Sequence, residues 1–253
     1  MSYSPSPPRL SLVIPAYNEA HRLPESLKNI IDCGRGFEFE WEVVVVIERS
    51  RDETLELARR LTAKQANFRI LDNKVHRGKG YAIRSGILQA QGDFIFYMDA
   101  DLSVPLKAIE TFLVYFERHP EVDVLAGNRQ HSGSRITRKQ TWLRRSMGQA
   151  FNRILRMCVG VALHDTQCGF KAFRRSAARE IFRHQKIDGF AFDVEVLLLA
   201  ERLGYKIADL PVEWINSPAS RVRLVRDSLS MLRDAMQVRR TIDAELGKER
   251  HAS

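Results

Sequence analysis

Short runs of β-branched and aromatic residues alternate with segments of helical periodicity through the first half of the chain, and few folds accept that pattern. Leu10–Ile14 (LSLVI) and Trp41–Ile47 (WEVVVVI) read as strands around a helix that opens at Pro24 and stops before Gly34. Ser50 and Glu53 form a capping-box pattern ahead of a helix over Thr54–Ala66, and Phe68–Leu71 is strand-like. Tyr81–Ala90 reads as a helix and Asp93–Met98 (DFIFYM) as a buried strand. Leu106–Glu117 is again helical, and Val122–Ala126 is a further strand. The alternation predicts an α/β domain with a mostly parallel sheet covered by helices on both faces.

Ligands of such sheets bind beyond the carboxyl ends of the strands, so the polar residues after each strand carry the functional information. They are Tyr17, Asn18 and Glu19 after the first, Glu48–Asp52 after the second, His76–Lys79 after the third, and Asp99 and Asp101 after the fourth. Asp99-Ala100-Asp101 places two carboxylates at a strand terminus. That arrangement suits a hard divalent cation, Mg²⁺ or Mn²⁺, which takes its remaining ligands from water and substrate phosphates. A bare Asp-x-Asp is equally a solvated acidic turn, and its place after a buried strand favours the cation site. Arg77-Gly78-Lys79-Gly80 supplies two cations, two glycines and a helix N-terminus, all suited to phosphate. Alone it also fits a tight turn with solvated charges.

The charge balance narrows the partners. Lys and Arg number 40 against 31 Asp and Glu, a net charge of +9 that favours anionic partners without choosing among them. From Arg129 to His164 there is no acid but eight Lys or Arg, among them Arg129 and Arg145. Within that stretch Leu143, Met147, Phe151, Ile154 and Cys158 recur at helical spacing, giving a basic amphipathic helix. Val222, Val225, Leu229, Leu232 and Met236 repeat the pattern beside Arg221, Arg223 and Arg226. Helices of this kind suit peripheral attachment to an anionic membrane surface, or packing on the sheet or a dimer partner. No run of about 18 apolar residues and no signal-peptide pattern occurs, so a cytoplasmic protein is expected, peripheral on the cytoplasmic membrane face. The three cysteines, Cys33, Cys158 and Cys168, form no metal or disulfide pattern. One domain over 9–217 is expected, followed by a basic amphipathic helix and tail over 218–253.

Three segments in order and spacing, Ser11-Leu12-Val13-Ile14-Pro15-Ala16-Tyr17-Asn18-Glu19, Gly78-Lys79-Gly80 and Tyr97-Met98-Asp99-Ala100-Asp101-Leu102, resemble the family 2 glycosyltransferases. Asp165-Thr166-Gln167-Cys168-Gly169-Phe170-Lys171 and Phe190-Ala191-Phe192-Asp193-Val194-Glu195 resemble, more narrowly, the dolichyl-phosphate glucosyltransferases, with the mannosyltransferases next. The resemblance runs from about Leu10 to Arg221 and implies a GT-A fold. It implies an inverting transfer of a hexose from a nucleotide sugar, UDP-glucose ahead of GDP-mannose, to a polyprenyl or dolichyl phosphate.

The resemblance also implies roles for single residues. Pro15, Tyr17 and Glu19 would line the nucleotide pocket, and Asp99 and Asp101 would face the metal and diphosphate. Ser103 stands where the mannosyl enzymes carry a metal-contacting Gln. Arg129 and Arg145 would meet the acceptor phosphate, and Arg221 stands where those enzymes have a phosphate-contacting Lys. Lys79 or Arg221 would neutralise the departing diphosphate. Asp193, at a helix start, is either an N-cap or a base. Where family members usually read Asp-Asp-Gly-Ser after the second strand, this chain has Ile47-Glu48-Arg49-Ser50; Glu48 can accept a hydrogen bond from a base N–H and Ile47 cannot. A non-catalytic nucleotide-sugar-binding relative and a transferase with a soluble acceptor are the competing readings. Nucleic-acid binding is disfavoured, because no helix-turn-helix, zinc or RNP signature accompanies the basic stretch.

Overall fold

A computed structural model describes residues 7–136, 163, 165–215, 234 and 242. The strands are β1 (Leu10–Ala16), β2 (Trp41–Glu48), β3 (Phe68–Asn73), β4 (Phe94–Met98), β5 (Val124–Asn128), β6 (Arg135–Ile136), β7 (Phe170–Arg174), β8 (Ile207–Pro211) and β9 (Glu213–Trp214). The helices are α1 (Leu23–Gly34), α2 (Thr54–Thr62), α3 (Lys79–Ile87), α4 (Ala108–Arg118), α5 (Arg175–His184) and α6 (Phe192–Arg202). Seven strands form one sheet in the order β3-β2-β1-β4-β7-β5-β8, and β6 pairs with β9 in a small second sheet.

The apolar runs explain the layering. In β2, Val43, Val45 and Ile47 face one core with α1, α2 and α4, while Val44 and Val46 face the other with α3, α5 and α6. A strand buried on both faces must be apolar at every position, which is what the four consecutive valines of β2 provide. Helix α6 is buried from Phe192 to Ala200 and has no solvent face over that length.

Parallel pairing holds for β1 with β2 and β4, for β2 with β3, and for β5 with β8. Strand β7 is the exception. It runs antiparallel between β4 and β5, with Met98 opposite Phe170. Its start therefore lies at the carboxyl end of β4, and the turn before it reaches the same sheet edge as Asp99 and Asp101.

Two expectations at α2 need correction. The helix stops at Thr62 rather than Ala66. Ser50 does not cap it, because its hydroxyl accepts from the Asn18 N–H (3.0 Å) and donates to the Glu48 carbonyl (3.0 Å). Asp52 serves the helix start instead, accepting the Thr54 N–H at 3.2 Å.

Helix α3 lies against β1 and β2 through Gly86, where a Cβ would overlap Val13 and Val46. Gly86→Ala is expected to lower unfolding stability by about 1–3 kcal/mol, the usual penalty of overpacking, in urea denaturation followed by circular dichroism. Inside α6, the Glu195 carboxylate accepts the N–H groups of Lys186 and Ile187, both at 2.8 Å. Burial outweighs those bonds and raises its pKa from 4.5 to about 7. The folded state therefore holds this proton more tightly than the unfolded one. The associated stability is complete below pH 4.5 and is lost as pH rises through about 7. Against Glu195→Gln, the wild type should lose on the order of 3 kcal/mol across that window, read from unfolding curves at pH 4.5 and 8.

Candidate active site

The carboxyl ends of β1, β2, β3 and β4 converge as the sheet topology requires. Beyond β1 the chain turns at Asn18, which adopts a left-handed conformation (φ 51°) and accepts the Arg51 N–H at 2.7 Å. This bond ties the first strand end to the second. A cleft of about 660 Å³ opens there, lined by Tyr17, Arg49, Ser50, Arg51 and His76. The Tyr17 and His76 rings stack nearly parallel with centroids 3.7 Å apart. Pro15 lies within β1 in register with Val46, one strand residue short of the cleft wall.

Glu48 and Ile47 do not share that wall. Ile47 is a core residue, and Glu48 is 2% exposed. The Glu48 carboxylate accepts from the N–H groups of Arg77 and Gly78, both at 2.9 Å, and contacts His76 Nδ1 at 2.6 Å. It anchors the loop after β3. Gly78 (φ 132°) and Gly80 have a structural reason of their own, since a Cβ at either would strike the backbone of the 187–189 segment. Lys79 thereby opens α3 with its ammonium directed at the fourth strand end.

At that strand end Asp99 pairs with Lys79 at 2.5 Å. Desolvation works to lower the Lys79 pKa, but the charges of Asp99 and Asp193 overcome it and raise the value. Asp101 accepts from the Ser103 hydroxyl (2.6 Å) and N–H (3.1 Å), and its other oxygen lies 3.5 Å from Arg22. Arg22 is also held by Glu19 through two bonds of 2.6 and 2.7 Å. Directly after the two acids Leu102 is left-handed (φ 49°), and between them the Ala100 carbonyl accepts from Ser26 of α1 at 2.5 Å. Non-glycine residues in this conformation concentrate at functional sites because the strain needs support from surrounding contacts.

These residues fit a hard divalent cation. Among the described residues no three carboxylate, His or Cys groups converge on one point. A cation that takes one or two carboxylates and completes its shell with water and phosphate oxygens needs no third. Asp99 and Asp101 supply that pair. Ser103 reaches Asp101 as a hydrogen-bond donor, so it orients a carboxylate.

The antiparallel strand brings a second group of charges to the same edge. Arg129, just past β5, binds Asp165 through Nε and Nη2 at 2.8 Å each, and the Arg129 N–H also donates to Asp165 at 2.9 Å. The acid-free stretch from Arg129 to His164 holds no partner for Arg129, and the partner lies 36 residues away, just beyond it. Desolvation would raise the Asp165 pKa, yet Arg129 holds it below the usual carboxylate value. The Arg129 guanidinium also lies 5.6 Å from the Trp214 ring centroid.

Asp193 is neither the N-cap of α6, a position taken by Ala191, nor open to the cleft. It is 3% exposed and accepts from Lys171 (2.6 Å) and the Tyr97 hydroxyl (2.5 Å). Cys168 is fully buried beside Phe170, and burial pushes its thiol up to about 11, as expected of a small core residue. Arg145, Arg221, His164 and the two basic amphipathic helices lie outside the described residues. Arg22 was not legible as a site residue from its neighbours; its only signal is a cation three residues after Glu19.

The comparisons with known proteins agree with this geometry. The family model described as glycosyl transferase family 2 matches residues 11–182. A dolichyl-phosphate beta-glucosyltransferase of Dictyostelium discoideum is 33% identical over 241 residues, covering 91% of this chain and 73% of that protein. The Saccharomyces cerevisiae protein of the same name is 30% identical, covering 91% and 74%. Among solved structures, glucosyl-3-phosphoglycerate synthase from Mycobacterium tuberculosis, in complex with Mn²⁺, UDP and its glucosylated product, superposes with a TM-score of 0.65 at 18% identity. That match covers 93% of this chain and 80% of the other, and it bears out the GT-A fold. The mannosyltransferase PcManGT from Pyrobaculum calidifontis, in complex with GDP-Man and Mn²⁺, has a TM-score of 0.56 at 16% identity, covering 96% and 76%. With strand ends, paired acids and family model in accord, the chain belongs to glycosyl transferase family 2 and is a glycosyltransferase.

Proposed function

We propose that the chain transfers a hexose, glucose from UDP-glucose, to a polyprenyl or dolichyl phosphate at a membrane surface, with inversion at the anomeric carbon. The observation that carries the reaction class is the Asp99–Asp101 pair at the end of β4, faced by Lys79 and Arg22. The names of the relatives at 30–33% identity support the choice of acceptor and sugar.

The chemistry fits the residues present. A lipid phosphate oxygen is already anionic at neutral pH, so the nucleophile needs orientation more than a base. Asp193, engaged by Lys171 and Tyr97, is a positioning group in this reading. Arg129, fixed by Asp165, faces the acceptor phosphate as an orienting cation, and Arg145 and Arg221 are proposed to share that edge. The phosphate oxygen forms the new bond to the anomeric carbon while the bond to the nucleoside diphosphate breaks, its electron pair leaving with the diphosphate. Lys79 and Arg22 offset the developing charge on the leaving group. A divalent cation held by Asp99 and Asp101 would add Lewis-acid stabilisation of the same group.

No described helix is long and apolar enough to cross a membrane. Attachment through the basic segments 143–158 and 222–236, on the cytoplasmic face, is the corresponding proposal for location. The domain boundary near 217 belongs to it.

Purified protein with Mg²⁺ and a polyprenyl phosphate should release nucleoside diphosphate and form a glycolipid with UDP-glucose and not with GDP-mannose. Release with GDP-mannose alone would replace the donor, and nucleotide binding without lipid-dependent turnover would overturn the acceptor. Asp101→Ala is expected to reduce turnover at least about 100-fold while retaining the unfolding midpoint. Unchanged turnover in that variant would remove the pair from the reaction.

A further inference from the structure

We infer that His76 is the residue that reads the nucleobase, in place of the carboxylate at the end of β2 that family members usually offer. The inference rests on the nucleotide-sugar donor proposed above and concerns the same cleft.

Neither Ile47 nor Glu48, the last two residues of β2, presents a polar side chain to the cleft. Ile47 is 1% exposed in the core, and both Glu48 oxygens are occupied by the loop after β3. Oε1 accepts from the Arg77 and Gly78 N–H groups; Oε2 meets His76 Nδ1 at 2.6 Å and the Gly78 N–H at 3.3 Å. His76 is the group that reaches the cleft. Its side chain is 45% exposed, lines the cavity and stacks on Tyr17. The loop is also fixed from the opposite side, where Arg77 Nε donates to Asp188 at 2.8 Å. His76 thus stands on a rigid support.

Glu48 determines what His76 offers. A carboxylate is an acceptor, so it takes the Nδ1–H and leaves Nε2 of the neutral ring as an acceptor. A base whose ring N–H lies between two carbonyls, as in uracil, complements that acceptor. Arg49 and Arg51 on the same wall are donors for the carbonyls. Cytosine presents a lone pair at the corresponding ring nitrogen and would meet Nε2 with like polarity. Glu48 acts through His76 as a positioning residue, and His76 itself determines specificity.

Calorimetric titration of the full chain with UDP, CDP and N3-methyl-UDP in Mg²⁺, without acceptor, tests this. The wild type should bind CDP and N3-methyl-UDP at least about tenfold more weakly than UDP. His76→Phe keeps a flat ring against Tyr17 but loses the acceptor. It should weaken UDP binding about tenfold and abolish the discrimination against N3-methyl-UDP. His76→Gln, with an amide oxygen in reach, should recover part of that discrimination. Equal wild-type binding of UDP and N3-methyl-UDP would overturn the inference. So would discrimination that survives in His76→Phe, or tighter UDP binding by that variant, which would make His76 an occupant of the slot. Failure of the wild type to bind UDP at all, with GDP bound instead, would instead overturn the proposed donor and the base reading with it.

Discussion

The ammonium of Lys171 is fully buried, and the candidate acceptor side of the site depends on where its protons go. It donates to the carbonyls of Thr166 (3.1 Å) and Cys168 (2.8 Å) and to Asp193 (2.6 Å). A buried cation without such partners would destabilise the fold by several kcal/mol, so the turn before β7 has little freedom to take another shape. Fixing that turn places Asp165 against Arg129 and Gly169 directly under Asp99, where a side chain at 169 would collide with the carboxylate. A lysine near the start of an interior strand therefore acts as a peg between the sheet and the loop before it.

The same logic of paired charges runs along the whole edge. Glu19 holds Arg22, Arg22 reaches Asp101, Lys79 holds Asp99, and Arg129 holds Asp165. Each carboxylate has a cation beside it before any substrate arrives. For the donor proposed above the arrangement matters, because Lys79 and Arg22 are the cations that would receive the charge of a departing diphosphate. Preorganised cations need no rearrangement of solvent when a leaving group departs, and such preorganisation is usually the largest single contribution to catalysis.

The first five strands of the large sheet were legible because β-branched runs bounded by turn residues have few other uses. Their ends were legible to within two residues, and with them Tyr17, Glu19, Lys79, Asp99 and Asp101. Strand β7 escaped the reading, since FKAFR carries two cations and looks amphipathic, and only the partners of Lys171 explain its burial. The pairing of Arg129 with Asp165 spans 36 residues and an antiparallel crossing, which no local pattern encodes. The start of helix α6 was legible at Asp193, but its burial was not. Asp193 and Glu195 are each buried against donors from other segments, which no local pattern encodes.

The departure at Ile47-Glu48 shows how a substitution in a site motif can be absorbed by the fold. A carboxylate one carbon longer than aspartate, at the last residue of β2, reaches across to the loop after β3 and binds two of its N–H groups. The loop gains a rigid anchor, and the strand end loses its polar face to the cleft. What the cleft receives in exchange is an imidazole whose orientation the same carboxylate sets. In the reading inferred above, recognition of the base moves from one strand end to its neighbour while the residues proposed to face the phosphates stay on β4 and α3. Such a shift is possible because the cleft lined by Tyr17 and His76 and the Asp99–Lys79 pair sit at different strand ends of one sheet, so the two halves of the proposed nucleotide site can vary independently.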